Sequence, residues 1–310
     1  MSTLIDWHSH HTAAEVIEEF TKAGAEAPRP DPNDSADFAG RVEEMDRAGI
    51  DIQLVSQGAG LSADRFPPEQ ALAMVRRSND VIADRISPHL GRLAGTIAIT
   101  LTDPVGSAAE IDRMAGRGFK AVLLYAQPDK IGLEETEPAF EAISRNGLPI
   151  FLHGGGAGVG SRAGMEHLED AGRGVMVSAH TDAAVADTVV RMIAAGLFDR
   201  YPGLRVVIRS AGGGIPMLLN KLYWPHEGPQ GNRPYRDILL DHFLVDTASA
   251  DANTLQFLLN HLGPERVVFG SDYGGGAGAL QFTVQALNEL SDAEGVRAQT
   301  ARNSEALLGV

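Results

Sequence analysis

The stretch Leu4-Ile5-Asp6-Trp7-His8-Ser9-His10 opens the chain with an apolar run that ends in two histidines one residue apart. In a strand, alternate residues share a face, so both imidazoles leave its end on one side, close enough to grip a single cation. The same pattern, a short apolar run followed by a helical period, repeats along the sequence. Strands are read at Leu4–His8, Ile52–Ser56, Leu93–Ile99, Ala121–Tyr125, Ile150–His153, Arg205–Arg209, Phe243–Thr247 and Arg266–Gly270. Helices are read at Phe38–Ala48, Pro68–Ile86, Pro104–Arg117, Glu137–Arg145, Ala183–Phe198, Ile215–Tyr223, Asn253–His261 and Leu280–Leu290. Asp103-Pro104 is a helix-start signal, and Gly49, Gly118, Gly147 and Gly263 are stops. Eight strands, each followed by a helix, predict an α/β fold: a single (βα)8 TIM-type barrel over residues 1–310, with an extra C-terminal helix at Ala293–Leu308.

Composition narrows the function. A formal net charge of −15 repels nucleic acid and anionic membrane, so neither is expected as a partner. With no cysteine there is no disulfide or thiolate ligand, and any metal must be held by nitrogen and oxygen. No run reaches the roughly 18 apolar residues of a membrane span, and the N-terminus lacks a basic segment followed by a long apolar one. A cytoplasmic location is the expectation. Two loose stretches, Ala23–Asp37 after the first strand and the glycine-rich Gly154–Gly160 after the fifth, fall on the barrel face where active sites form. The second lacks a following Gly-Lys-Ser/Thr and is not read as a phosphate cradle.

Polar residues at the strand ends converge on that face. The first strand supplies His8 and His10, the fifth His153, and the eighth Asp272 of Phe269-Gly270-Ser271-Asp272-Tyr273. Three neutral imidazoles and one carboxylate suit one divalent cation, Zn²⁺ first and Mn²⁺ or Fe²⁺ as its neighbours, with a position open to water or substrate. Trp7 and His11 alternate away from the pair, and Trp7 is expected to pack the barrel against a helix.

The whole chain resembles the amidohydrolase superfamily, in particular the branch of aminocarboxymuconate-semialdehyde decarboxylase and the resorcylate-type decarboxylases. The likeness is carried by the His-x-His stretch, Arg41-Val42-Glu43-Glu44-Met45-Asp46-Arg47-Ala48-Gly49-Ile50, Phe151-Leu152-His153 and Ala195-Gly196-Leu197-Phe198-Asp199-Arg200-Tyr201-Pro202. Gly212-Gly213-Gly214-Ile215-Pro216, Val268-Phe269-Gly270-Ser271-Asp272-Tyr273 and the terminal segment from Asn303 to Gly309 complete it. The resemblance implies that His8, His10, His153 and Asp272 are the metal ligands and that Arg41 clamps a substrate carboxylate, a task for which a guanidinium is suited. It also implies a homodimer or larger homo-oligomer, in which Lys221 stands where relatives carry an arginine that reaches a neighbouring subunit's site.

One position breaks the pattern. The family's histidine six residues before the proline of the glycine-rich turn is Ser210 here, and a serine hydroxyl is no general base unaided. His180, oriented by Asp182, is one candidate for the missing proton-transfer group. Asp272, or water on the metal with Ser210 donating a hydrogen bond, is another. Glycines after His153 and after Tyr273 predict a pocket rim with few side chains. The expected function is a metal-dependent, non-oxidative decarboxylase of an aromatic or enol-type carboxylic acid. A hydrolase or hydratase acting on a lactone, amide or C=C substrate through the same ligands is the alternative, and a non-catalytic barrel a third.

Overall fold

The computed structural model describes residues 3–24, 38–155, 167–229, 231–275 and 280–309. Its barrel strands are β1 (Ile5–His11), β2 (Ile52–Gln57), β3 (Leu93–Ala98), β4 (Phe119–Tyr125), β5 (Ile150–His153) and β6 (Val206–Ile208), then β9 (Phe243–Asp246) and β10 (Val267–Val268). All eight are parallel and lie side by side in that order. Between β6 and β9 comes a small antiparallel hairpin, β7 (Pro225–Gly228) with β8 (Gly231–Pro234). The circle is completed between first and last strands by backbone bonds from Trp7 N to Phe269 O (2.9 Å), Asp272 N to His8 O (2.7 Å) and His10 N to Tyr273 O (2.7 Å). The (βα)8 barrel expected from the strand–helix alternation is the architecture found.

Both faces of the strands are covered, so neighbouring residues along a strand enter different packing clusters. Val122, Leu124, Leu152, Val206, Ile208, Val245 and Val267 pack with helix residues such as Ile82, Ile143, Val189 and Leu255. Leu123, Phe151, Val207, Leu244 and Val268 belong to the other cluster, and the Phe151 ring lies 5.0 Å from that of His8. That second face is the floor on which the polar site rests. The extra helix Ala293–Leu308 closes the barrel's outside, where Trp7 donates from Nε1 to Ser304 Oγ at 3.0 Å.

The helices Phe38–Ala48, Pro68–Ile86 and Glu137–Arg145 run where the periodicity puts them. Among the described residues, elements not foreseen include the helix Ala14–Lys22, the β7–β8 hairpin, the short helical turn Arg209–Gly212 and the helix Tyr235–His242. The fifth βα connection also differs, because its helix begins at Asp170 rather than Ala183 and runs to Ala194. Gly172 and Gly174 within its first turns mask the helical signal. Most of the loose stretch after the first strand (25–37) and the rim glycines 156–160 and 276 lie outside the described residues.

Candidate metal centre

His8, His10, His153 and Asp272 meet at the C-terminal end of the barrel, with one donor atom of each within 4.8 Å of all the others. His8 Nε2 stands 3.1 Å from His10 Nε2, 3.1 Å from His153 Nε2 and 3.1 Å from Asp272 Oδ1, and His10 Nε2 is 3.2 Å from the same oxygen. All four side chains are buried.

The outer ring nitrogens settle what the inner ones can do. His8 Nδ1 faces Asp246 Oδ2 at 2.7 Å, His10 Nδ1 faces the Gln57 carbonyl at 3.0 Å, and His153 Nδ1 faces the Gly154 carbonyl at 2.8 Å. Each acceptor calls for a proton on Nδ1, so in the neutral rings every Nε2 carries a lone pair. Three lone pairs and a carboxylate oxygen crowded within hydrogen-bond distance repel one another unless positive charge lies among them. The donor set therefore fits a divalent cation bound by nitrogen and oxygen.

Electrostatics agree with that demand. Burial presses the His8 imidazole down, but Asp246 and Asp272 outweigh it and raise its pKa to about 9. The site thus attracts a proton in place of a metal ion. Burial, followed by the charges of His10 and Arg209, holds His153 well below the usual imidazole range, keeping its lone pair free. Burial acts to raise Asp272, yet His8 and His10 more than offset it and keep the carboxylate ionised. Asp272 itself sits in the left-handed region (φ 59°), with its backbone N bonded to His8 O. The turn needs Gly275, where a Cβ would strike Asp272 Oδ1 and come within 2.7 Å of His10 Cδ2.

Asp246 was not among the residues singled out from the sequence. It ends the seventh barrel strand, and the rule that picks polar residues at strand ends reaches it. Changing Asp246→Asn removes the charge that polarises His8, so metal affinity is expected to fall by about 10- to 100-fold, read by titration against a chelator of known strength.

The remaining expected site residues are placed differently from one another. Arg41 is wholly buried: Nη1 donates to Ser9 Oγ (3.2 Å) and Gln53 Oε1 (3.1 Å), Nη2 donates to the His10 carbonyl, and the guanidinium lies 4.7 Å from the Tyr273 ring centre. These partners lie on β1 and β2 behind the ligands, and Arg41 is not part of the lining of the cavity in front of them. Gln53 carries the chain on to buried Asp6 (2.8 Å), which also accepts from Ser271 N (2.9 Å) and Ser271 Oγ (2.6 Å). Lys221 is exposed at the end of the short turn Leu219–Lys221. Ser210, at φ 48°, accepts from Arg209 Nε at 3.0 Å.

A cavity of ≈ 270 Å³ opens over the ligands, lined by His10, His153 and Asp272 with Arg65, Arg209 and Thr181. His180 is exposed and is not part of that lining. Because residues 170–194 form a helix rather than a loop, each residue turns the face by about 100°. Val177, Ser178 and Thr181 are turned to the cavity, and Asp182 is paired with Arg209 at 3.6 Å. Arg209 was missed, although it ends the sixth predicted strand and the strand-end rule reaches it too.

The family model described as Amidohydrolase matches residues 5–275. The chain belongs to the amidohydrolase family. It is 29% identical over 256 residues to the gamma-resorcylate decarboxylase of Rhodococcus jostii, covering 75% of this chain and 76% of that protein. It is 24% identical over 245 residues to the 2-amino-3-carboxymuconate-6-semialdehyde decarboxylase of Dictyostelium discoideum, covering 75% of this chain and 65% of the relative. In structure it matches the dihydroxybenzoic acid decarboxylase of Polaromonas sp. JS666, solved with bound manganese and 2-nitroresorcinol, with a TM-score of 0.78 and 20% identity over 100% of this chain and 97% of that one. Among the described residues of this amidohydrolase no helix is long and apolar enough to cross a membrane.

Proposed function

We propose that this amidohydrolase is a metal-dependent, non-oxidative decarboxylase that removes CO₂ from an aromatic or enol-type carboxylic acid. The observation that carries the reading is the buried His8–His10–His153–Asp272 donor set at the floor of a cavity that also presents arginine. The decarboxylase relatives support it. The metal would be held by those four side chains; zinc and manganese both suit the donors, and manganese gains weight from the Polaromonas enzyme.

A divalent cation held there would supply positive charge to bind the substrate carboxylate and stabilise the negative charge that develops. Asp246 fixes the ring of His8, and Arg41, through the His10 carbonyl, fixes the strand that carries His10. Asp272 lines the cavity and its Oδ1 faces His8 and His10, which leaves its second oxygen, ionised at rest, to take a proton from a substrate hydroxyl or from water and relay it to the carbon bearing the carboxylate. The C–C bond breaks, CO₂ leaves, and the electron pair restores the conjugation that protonation had interrupted. Ser210 anchors Arg209 rather than moving a proton in this scheme. Lys221, on the surface, is assigned to the site of a second subunit in a homo-oligomer.

The test is CO₂ release from a panel of hydroxybenzoates by protein loaded separately with manganese and with zinc. Lactone opening without CO₂ release from any acid would assign the hydrolase alternative instead. Within the same assay, His180→Ala is expected to keep turnover within about twofold of the parent, since an exposed side chain off the cavity contributes little. A loss of a hundredfold would return His180 to the proton-transfer role.

A further inference from the structure

We propose that Arg209, together with Arg65, binds a second anionic group of the substrate, and so selects acids that carry two negative charges. The proposal builds on the metal site just described and deepens it.

Arg209 directly follows β6 and lines the same cavity as His10, His153 and Asp272. Its side chain is 17% exposed, so the charge is largely withdrawn from water yet still borders the cavity. Its carboxylate partner, Asp182, stands 3.6 Å away and is itself 43% exposed. That spacing is well beyond the 2.7 Å at which Arg113 meets Glu110 and leaves the Arg209 charge only partly answered.

Two neighbouring residues shape this side chain's position. Ser210, standing where relatives carry histidine, accepts from Arg209 Nε at 3.0 Å and sets the plane of the guanidinium. Gly154, next to His153, provides its space: a Cβ there would collide with the Thr181 methyl group and lie 3.1 Å from Arg209 Nη1. The serine contact and the glycine thus have one physical consequence, a cation built into the cavity wall. Arg65 adds a second, exposed guanidinium to the lining, with Nη2 on the Gly60 carbonyl at 3.3 Å. Arg41, by contrast, holds Ser9, Gln53 and the His10 carbonyl behind the ligands.

The experiment is calorimetric titration of the full-length, manganese-loaded protein with isophthalate and terephthalate as dianionic probes and benzoate as the monoanionic one. At least one dianion is expected to bind about tenfold more tightly than benzoate. In Arg209→Gln the ratio of dianion to benzoate affinity should shrink to within about twofold; Arg209→Lys should retain part of it. Arg65→Gln, at an exposed position, is a second variant that leaves the fold intact and should reduce the preference by a smaller factor. Equal binding of all three probes to the parent protein, or a dianion preference that survives Arg209→Gln, overturns the proposal. An Arg209-dependent preference in a protein that releases no CO₂ from any acid would sustain this inference while removing the decarboxylase reading.

Discussion

Replacing His153 by alanine is expected to strip the protein of its metal and to lower CO₂ release by on the order of 10³ or more, since the charge stabilisation at stake is several kcal/mol. The ring lies at the meeting point of the donor set, 3.1 Å from His8 Nε2, and its outer nitrogen is already bonded to the Gly154 carbonyl, so no rotation lets another group take its place. Because the side chain is buried on the barrel floor, the substitution also leaves a hole that water can enter. Elemental analysis of the purified variant beside the parent reads the first effect, and the CO₂ assay the second. Retention of a full equivalent of metal together with parental turnover would show that the three remaining side chains are a complete site by themselves.

Arg41→Ala is expected to unfold the protein early rather than to weaken substrate binding. The guanidinium sits in a buried chain that runs from Asp6 through Gln53 to Arg41 and on to Ser9 and the His10 carbonyl. Removing it orphans several acceptors, opens a cavity beside Tyr273 and leaves Asp6 without the cation it reaches through Gln53. The cost of breaking a buried charged network in this way is about 3–5 kcal/mol, which lowers the melting temperature by roughly 10 °C in a chain of this size. A substrate clamp predicts the opposite pattern: an unchanged melting temperature with a raised KM. Thermal melts read alongside KM on the same preparation separate the two. Arg41→Lys should recover little stability, because an ammonium cannot span Ser9, Gln53 and the His10 carbonyl as a planar fork does.

Arg41 also shows where reading along the chain reaches its limit. Its place in a family motif implies a substrate contact, and a guanidinium would serve one well. Nothing local says that Gln53, 12 positions later, and Asp6, 35 positions earlier, lie within reach of it once the barrel closes. His180 has the same lesson in a different form. Gly172 and Gly174 make the segment read as a loop, in which the histidine is free to lean over the metal. Packing extends the helix back to Asp170, and the helical turn then carries His180 out of the cavity lining. Arg209 and Asp246 lay within reach of the strand-end rule that found the ligands, but a strand-end position alone does not distinguish a residue facing the axis from one facing the helices.

By itself the chain of residues determined the eight strands, most of the helices and the identity of all four metal-binding side chains. Those features depend on periodicity and on position within a single element, and an apolar alternation or a histidine at a strand end acts over only a few residues. The tertiary structure alone decided which cation supports the barrel and which faces the cavity, how the outer ring nitrogens set the ligands' protonation, and which face of the fifth helix looks inward. Each of these is a matter of partners brought together from distant strands, with burial settling their charge, and neither the partners nor the burial exists until the barrel closes.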